Sequence, residues 1–216
     1  MPRVGLSTKN VFRHSLDFQL IENLGKYLGV PLFTKHPKTA NFRYLIDRQL
    51  GYINSWSRKH LSFDGRVTLA KYVLNIIPQY AMQSQQLPTP ILKQLDRNTR
   101  DFIWGTSPHT ITWATFQNPR DRGGLGIHAA SSLNKAHLMT TSWSIQIGNT
   151  LVSQVLRKCH FLTFPLWMTT KKHTSSHTWR SIMRVIPSIL AGLQTLIYSG
   201  KDMSFWMDPW FSPTPL

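Results

Sequence analysis

Apolar residues recur at helical spacing through most of the middle of the chain. From Ala40 onward, Phe42, Leu45, Ile46, Leu50, Ile53 and Trp56 fall on one stripe of a predicted helix, with Arg43, Asp47 and Arg48 off it. A second helix is predicted from Asp64, whose carboxylate can cap the first turn, through Val67, Leu69, Ala70, Val73, Leu74 and Ile77 until Pro78 stops it. The third opens at Thr89-Pro90, a cap residue followed by proline at the first helical position, and runs to Trp104-Gly105. Its apolar side is Ile91, Leu92, Leu95, Phe102 and Ile103, and its basic side is Lys93, Arg97 and Arg100.

Further helices are predicted over Ala129 to Ile147, which carries helix formers with Leu133, Ala136, His137, Leu138 and the later Trp143 and Ile147, and over Leu151 to Lys158. Another spans Trp179 to Tyr198, with Pro187 as a kink or break. Extended structure is expected only in short pieces. Residues 15–20 alternate weakly, residues 27–32 read as an extended segment and a turn, and the aromatic stretch Phe205 to Trp210 reads as a strand or turn. Residues 106–126 turn to Pro, Gly, Thr and Asn and read as a loop; residues 165–178 read as a polar linker. The fold class is therefore mainly α, a helical bundle followed by a second helical region with short strands. The divisions fall at 1–38, 39–105, 106–126 and 127–216.

Charge adds a partner to this picture. Lys and Arg number 25 against 9 acids in 216 residues, a formal net charge of +16. The excess is spread over the chain, dips between 101 and 150, and nowhere forms a run of five like charges, so it reads as a basic face on folded elements rather than a basic tail. A polyanion such as nucleic acid is the partner that such a face fits. Acidic membrane surfaces fit less well, because no single basic amphipathic helix stands out. A single cysteine, Cys159, excludes a disulfide framework within the chain. No apolar run of membrane-spanning length and no signal-peptide core is present, so the expected location is intracellular, nucleus or cytoplasm, and not secreted.

Catalytic chemistry finds little material. Two-metal phosphoryl transfer needs converging carboxylates, and neither Asp96 with Asp101 nor Asp202 with Asp208 has the spacing to stack on one helix face. Asp96 and Asp101 are expected to pair with Arg97 and Lys93 instead. Cys159, His160, His173 and His177 supply one thiolate where a structural zinc site of the Cys-rich kind needs at least two. Gly123-Gly-Leu-Gly126 lacks phosphate-loop spacing and reads as a tight turn. No cofactor, metal or catalytic residue is therefore assigned. Among the tryptophans, Trp56, Trp104 and Trp143 are expected in the core, while Trp113, Trp167 and Trp179 remain candidates for base contact.

The order of several segments resembles the region after the palm in plant LINE-type (non-LTR) retroelement reverse transcriptases. The segments are Tyr27-Leu-Gly-Val-Pro-Leu32, Trp56, Leu61-Ser-Phe-Asp-Gly-Arg-Val-Thr-Leu69, Ile77-Pro-Gln-Tyr-Ala-Met82, Leu87-Pro88 and Phe102-Ile-Trp-Gly105. The resemblance continues in Trp113-Ala114, Gly123-Gly-Leu-Gly126, Asn134-Lys-Ala-His-Leu138 with Trp143, and Phe205-Trp-Met-Asp-Pro-Trp210. Asp64, where relatives usually show a small residue, and the altered Gly-rich turn at Ser199-Gly200 depart from the pattern as a decayed element or gene fragment would.

The resemblance implies a palm-exit segment (1–38), a thumb-like helical region (39–105), a loop (106–126) and a helical connection region (127–216). It places the polymerase aspartates upstream, and a zinc-knuckle-like region and RNase H domain downstream. The chain would then be a non-catalytic fragment of an RNA-directed DNA polymerase, not an enzyme alone. It would grip an RNA–DNA or DNA duplex through backbone phosphates, with the missing palm and RNase H portions of the parent polyprotein as its other partners and no membrane. Candidate phosphate contacts are Arg43, Arg48, Arg58, Lys59, Arg66, Lys71, Lys93, Arg97 and Arg100, with Arg66 favoured by its place in the Gly-Arg motif and pairing with Asp64 as its structural alternative. The alternative function is a structural or interaction module, or a retroelement relic without nucleic-acid activity.

Overall fold

The computed structural model describes residues 25–27, 30–31, 33, 37–56, 61–105, 112–160, 166, 169 and 176–193. The chain divides into two compact units, residues 1–37 and residues 38–216. In the first, strands β1 (Lys26–Tyr27) and β2 (Val30–Pro31) pair antiparallel, Lys26 opposite Pro31 and Tyr27 opposite Val30. The two strands overlap the 27–32 segment that the sequence reads as extended; residues 28 and 29, where its turn is expected, lie outside the described residues. The expected strands at 15–20 and 205–210 lie outside the described residues.

The second unit is helical, and among its described residues no strand occurs. A 3-10 turn over Thr39–Phe42 leads into α1 (Arg43–Ser55). Phe42 and Leu45 are buried as the stripe requires, but Gln49 rather than Leu50 continues it inward. Helix α2 (Phe63–Leu69) is capped by Ser62, whose hydroxyl accepts from the Gly65 N–H at 3.1 Å. Asp64 is not the cap; it lies inside the first turn. After Leu69 the helix widens to a π-turn over Ala70–Leu74, with the Asn75 N–H reaching the Ala70 carbonyl at 3.1 Å. The extra residue per turn leaves Tyr72 at the surface and keeps Ala70 and Leu74 inside.

Pro78 precedes a short helix, α3 (Gln79–Ser84), that the sequence pattern did not reveal. Helix α4 (Thr89–Trp104) has proline in its first turn and ends at Gly105, whose φ of 103° few other residues would adopt. All five of its predicted apolar residues are buried. The stretch read as loop from 106 to 126 contains α5 (Trp113–Gln117) and a 3-10 turn at Arg120–Arg122. Gly123 takes a left-handed φ of 75°, and a Cβ on Gly124 would overlap the backbone of Asn118, so the glycines serve a tight turn.

Helix α6 (Ala130–Ile147) is the centre of the second unit, packing on α3, α4, α7 (Leu151–His160) and α8 (His177–Leu190). Ser176 caps α8 by accepting from the Trp179 N–H, and α8 continues unbroken past Pro187 for one more turn. Predicted residues 194–198 of that helix are outside the described set. Two apolar clusters hold these helices: Val67, Ala70, Leu74, Phe102, Ile103, Phe116 and Ile127 in one, and Ile145, Leu166, Trp179, Ile182, Met183 and Ile186 in the other. Leu166, in the stretch read as a polar linker, is 3% exposed and belongs to the second cluster.

Buried amides fix how the helices meet. Gln49 on α1 donates to Thr99 Oγ1 at 3.1 Å and accepts from Asn98 Nδ2 at 3.0 Å on α4. Asn134 on α6 accepts from the Leu87 N–H at 2.9 Å and donates to the carbonyls of Met82 and Gln85 at 3.1 and 3.0 Å. That side chain satisfies backbone groups which α3 leaves open as it ends.

Candidate nucleic-acid interface

The core of α4 decides where its cations go. With Ile91, Leu92, Leu95, Asn98, Thr99, Phe102 and Ile103 buried, the residues at 93, 97, 100 and 104 fall on the opposite side. Lys93 and Arg97 are exposed and Arg100 half-buried, and the three border one shallow depression of about 160 Å³ with Asp96 and Trp113. Trp104 continues the same face and is 39% exposed, contrary to its expected place in the core. Its ring meets Phe63 at 5.3 Å and Phe116 at 5.6 Å. Phe63 in turn underlies Arg66, whose guanidinium carbon sits 5.9 Å from the ring centre. Lys93, Arg97 and Arg100 thus share one depression with Trp113, and Arg66 is linked to it through the ring contacts of Phe63, Trp104, Phe116 and Trp113.

The acids near this surface do little to cancel it. Arg97 and Asp101 approach to 3.7 Å one turn apart, a surface pair of the kind worth about 0–1 kcal/mol. Asp96 does not pair with Arg97 or Lys93, as the sequence had suggested. It accepts the Ala130 N–H at 2.9 Å and so caps α6, whose own cap position, Ala129, has no side chain able to do this. Burial raises the Asp96 pKa above the ordinary carboxyl value; the Ala130 N–H and the indole of Trp113 pull it part of the way back. Arg66 does not pair with Asp64 among the described contacts, and its Nε is buried without a partner, as is that of Arg100.

The remaining candidates are scattered. Lys71 lies beside the glycine turn, its Nζ 3.5 Å from where a Gly126 Cβ would stand. Its pKa is lowered, first by burial and then by Arg120. Arg43 and Arg48 are exposed on α1, where Arg48 partly offsets the upward push of burial on the Tyr44 phenol. Among the described residues neither lines the depression on α4. Arg58 and Lys59 lie outside the described residues.

Other expectations shift as well. Trp179 is 1% exposed at the heart of the second cluster and is not available to a base, whereas Trp143, expected inside, is 39% exposed. Trp56 is half-buried, 5.3 Å from Phe102, and Trp167 is outside the described residues. Sequence reasoning missed Arg184 and Lys135, which the fold brings near Lys93, because nothing local in the sequence links α8 to α4. Among the described residues no group of three or more His, Cys, Asp or Glu comes together, and no helix is long and apolar enough to cross a membrane.

Two Arabidopsis thaliana proteins are similar to this chain. It is 33% identical to Putative ribonuclease H protein At1g65750 over 197 residues, 87% of this chain and 32% of that protein. It is 29% identical to Uncharacterized mitochondrial protein AtMg00310 over 148 residues, 65% of this chain and 96% of that protein. The chain therefore spans about a third of the length of the former. No protein-family model matches it.

Proposed function

We propose that the chain is the nucleic-acid-gripping, non-catalytic part of a retroelement-type RNA-directed DNA polymerase, its thumb and connection region. The observation that carries this reading is the face of α4, where Lys93, Arg97 and Arg100 border one depression with one weak ion pair among the described residues, while Arg66 of α2 lies over the Phe63 ring that meets Trp104. Lys93 and Arg100 are seven positions apart, about 10 Å along the helix, a reach suited to successive phosphates of one backbone. The half-buried Phe63 ring behind the Arg66 guanidinium restricts its motion, which lowers the entropy lost on binding. Such contacts position a duplex and read no sequence. The similarity to a third of a much longer protein named for ribonuclease H supports a parent polypeptide in which chemistry belongs to other segments.

The test is equilibrium binding of a labelled RNA–DNA hybrid and a DNA duplex across a range of salt. The expected result is an affinity that falls steeply with log salt, at about 0.9 per phosphate contacted, and is indifferent to sequence. Absence of binding at low ionic strength would reject the proposal. A second reading, a self-sufficient structural or interaction module, is favoured by one observation: AtMg00310 consists almost wholly of the matched region. In that case the chain would fold cooperatively and yet bind neither duplex.

A further inference from the structure

Between the α3–α4 connection, α4, α6 and α8 lies a cleft of about 420 Å³, within the range of about 300–1,000 Å³ common for small-molecule sites. Its floor is apolar and buried, from Leu92, Leu138 and Val185. Its border carries three exposed cations from three helices, Lys93, Lys135 and Arg184. Among the described residues none of the three has a carboxylate partner. Asp96, the one acid among the described residues lining the cleft, already accepts the Ala130 N–H. Arg184 is held in place without being neutralised: its Nη1 donates to Gln86 Oε1 at 2.8 Å, and the Gln86 N–H in turn donates to Ser181 Oγ at 2.9 Å. Placing three like charges around one concavity is unfavourable unless an anion fills it. An apolar floor adds a second requirement that a bare phosphate ion does not meet.

We propose that this cleft binds a single nucleotide unit, its phosphate held by Lys93, Lys135 and Arg184 and its base lying over Leu92, Leu138 and Val185. The site goes beyond the backbone-binding face and shares Lys93 and Asp96 with it. A concavity of this size admits one nucleotide and excludes a duplex. The occupant is either a free nucleoside phosphate or the phosphorylated end of a strand, two sources of the same chemistry. The guanidinium, pre-positioned by Gln86, suits a forked contact with phosphate oxygens, and the two ammonium groups add charge without fixed direction.

The experiment is fluorescence anisotropy of the full chain with N-methylanthraniloyl-labelled adenosine triphosphate. Unlabelled adenosine monophosphate, adenosine, and single strands with and without a 5′-phosphate serve as competitors. Displacement by the monophosphate or by the 5′-phosphorylated strand supports the site and names its source; equal displacement by adenosine, or by the strand lacking phosphate, overturns it. Lys135→Gln with Arg184→Gln is expected to weaken the labelled nucleotide at least about tenfold, the loss of two charge-assisted contacts, with no change in duplex affinity. Because Arg184→Gln also removes the bond to Gln86, Lys135→Glu alone serves as the second variant and is expected to weaken the probe as well. Unchanged probe affinity in Lys135→Glu rejects the site. Arg97→Gln with Arg100→Gln should do the reverse, lowering duplex affinity and sparing the nucleotide, so failure of one proposal is distinguishable from failure of the other.

Discussion

The two apolar clusters use the same residue types, tryptophan beside arginine, to opposite ends. In the α6–α8 cluster Trp179 is fully enclosed, while Arg184 of the same helix turns outward to Gln86. Beside the α2–α4–α5 cluster the partly exposed rings of Phe63, Trp104 and Trp113 border the buried Phe116, and Arg66 lies against Phe63. The first arrangement spends its aromatic area on stability. The second leaves aromatic area at the surface and keeps cations over it, the arrangement of a surface that meets something else.

Substitutions should separate the two regions sharply. Trp179→Ala removes a fully buried ring and is expected to destabilise by about 3–5 kcal/mol in urea unfolding. Asn134→Ala leaves the Leu87 N–H and the Met82 and Gln85 carbonyls without their partner. Since one unmade buried group costs about 1–3 kcal/mol, a loss of about 2–4 kcal/mol is expected in the same measurement. Trp104→Leu, by contrast, should cost under about 1 kcal/mol, because the ring is already partly in water. A loss as large as that of Trp179→Ala would erase the distinction between the clusters.

Asp96 gives a smaller effect with a defined sign. Its carboxyl pKa in the folded state lies above the ordinary value of 3.8, so the folded chain holds that proton more tightly than the unfolded chain. Stability from this group therefore falls as pH rises from 3.8 upward, and the loss is complete once pH exceeds the raised folded value. Asp96→Asn retains an oxygen to accept the Ala130 N–H and removes the titration. Compared between about pH 4 and about pH 7, its stability should decline less than that of the wild type. Asp96→Ala, which removes the cap and the titration together, should cost about 1 kcal/mol near pH 4 and less near pH 7. An Asp96→Asn profile parallel to the wild type would contradict the raised pKa.

Helix α4 was legible because its signals are local: proline in the first turn, glycine at the end and an apolar stripe between them. What the sequence concealed depends on partners far along the chain. Gln49 is buried because Thr99 and Asn98 lie 50 and 49 positions away, and Asn134 because Met82 and Gln85 lie 52 and 49 away. A hint existed for Asn134, a polar residue one turn from Leu138 on the inward stripe of α6 and inside the Asn134-Lys-Ala-His-Leu138 segment. Helix α3 was hidden by its six-residue length and by the prolines at 78 and 88 on either side. The basic face was legible as residues of one helix, but its aromatic backing was not, because Phe63 and Phe116 come from other elements.

The central claim is that the α4 face grips a nucleic-acid backbone, and the salt dependence of duplex binding measures it most directly. Lys93→Gln, Arg97→Gln and Arg100→Gln together replace only side chains at the surface or half-buried, so the fold should persist by circular dichroism. The account predicts that log K against log salt becomes shallower by about 2–3 in slope relative to the wild type, three phosphate contacts at about 0.9 each. A triple variant that binds duplex with the wild-type slope would contradict it.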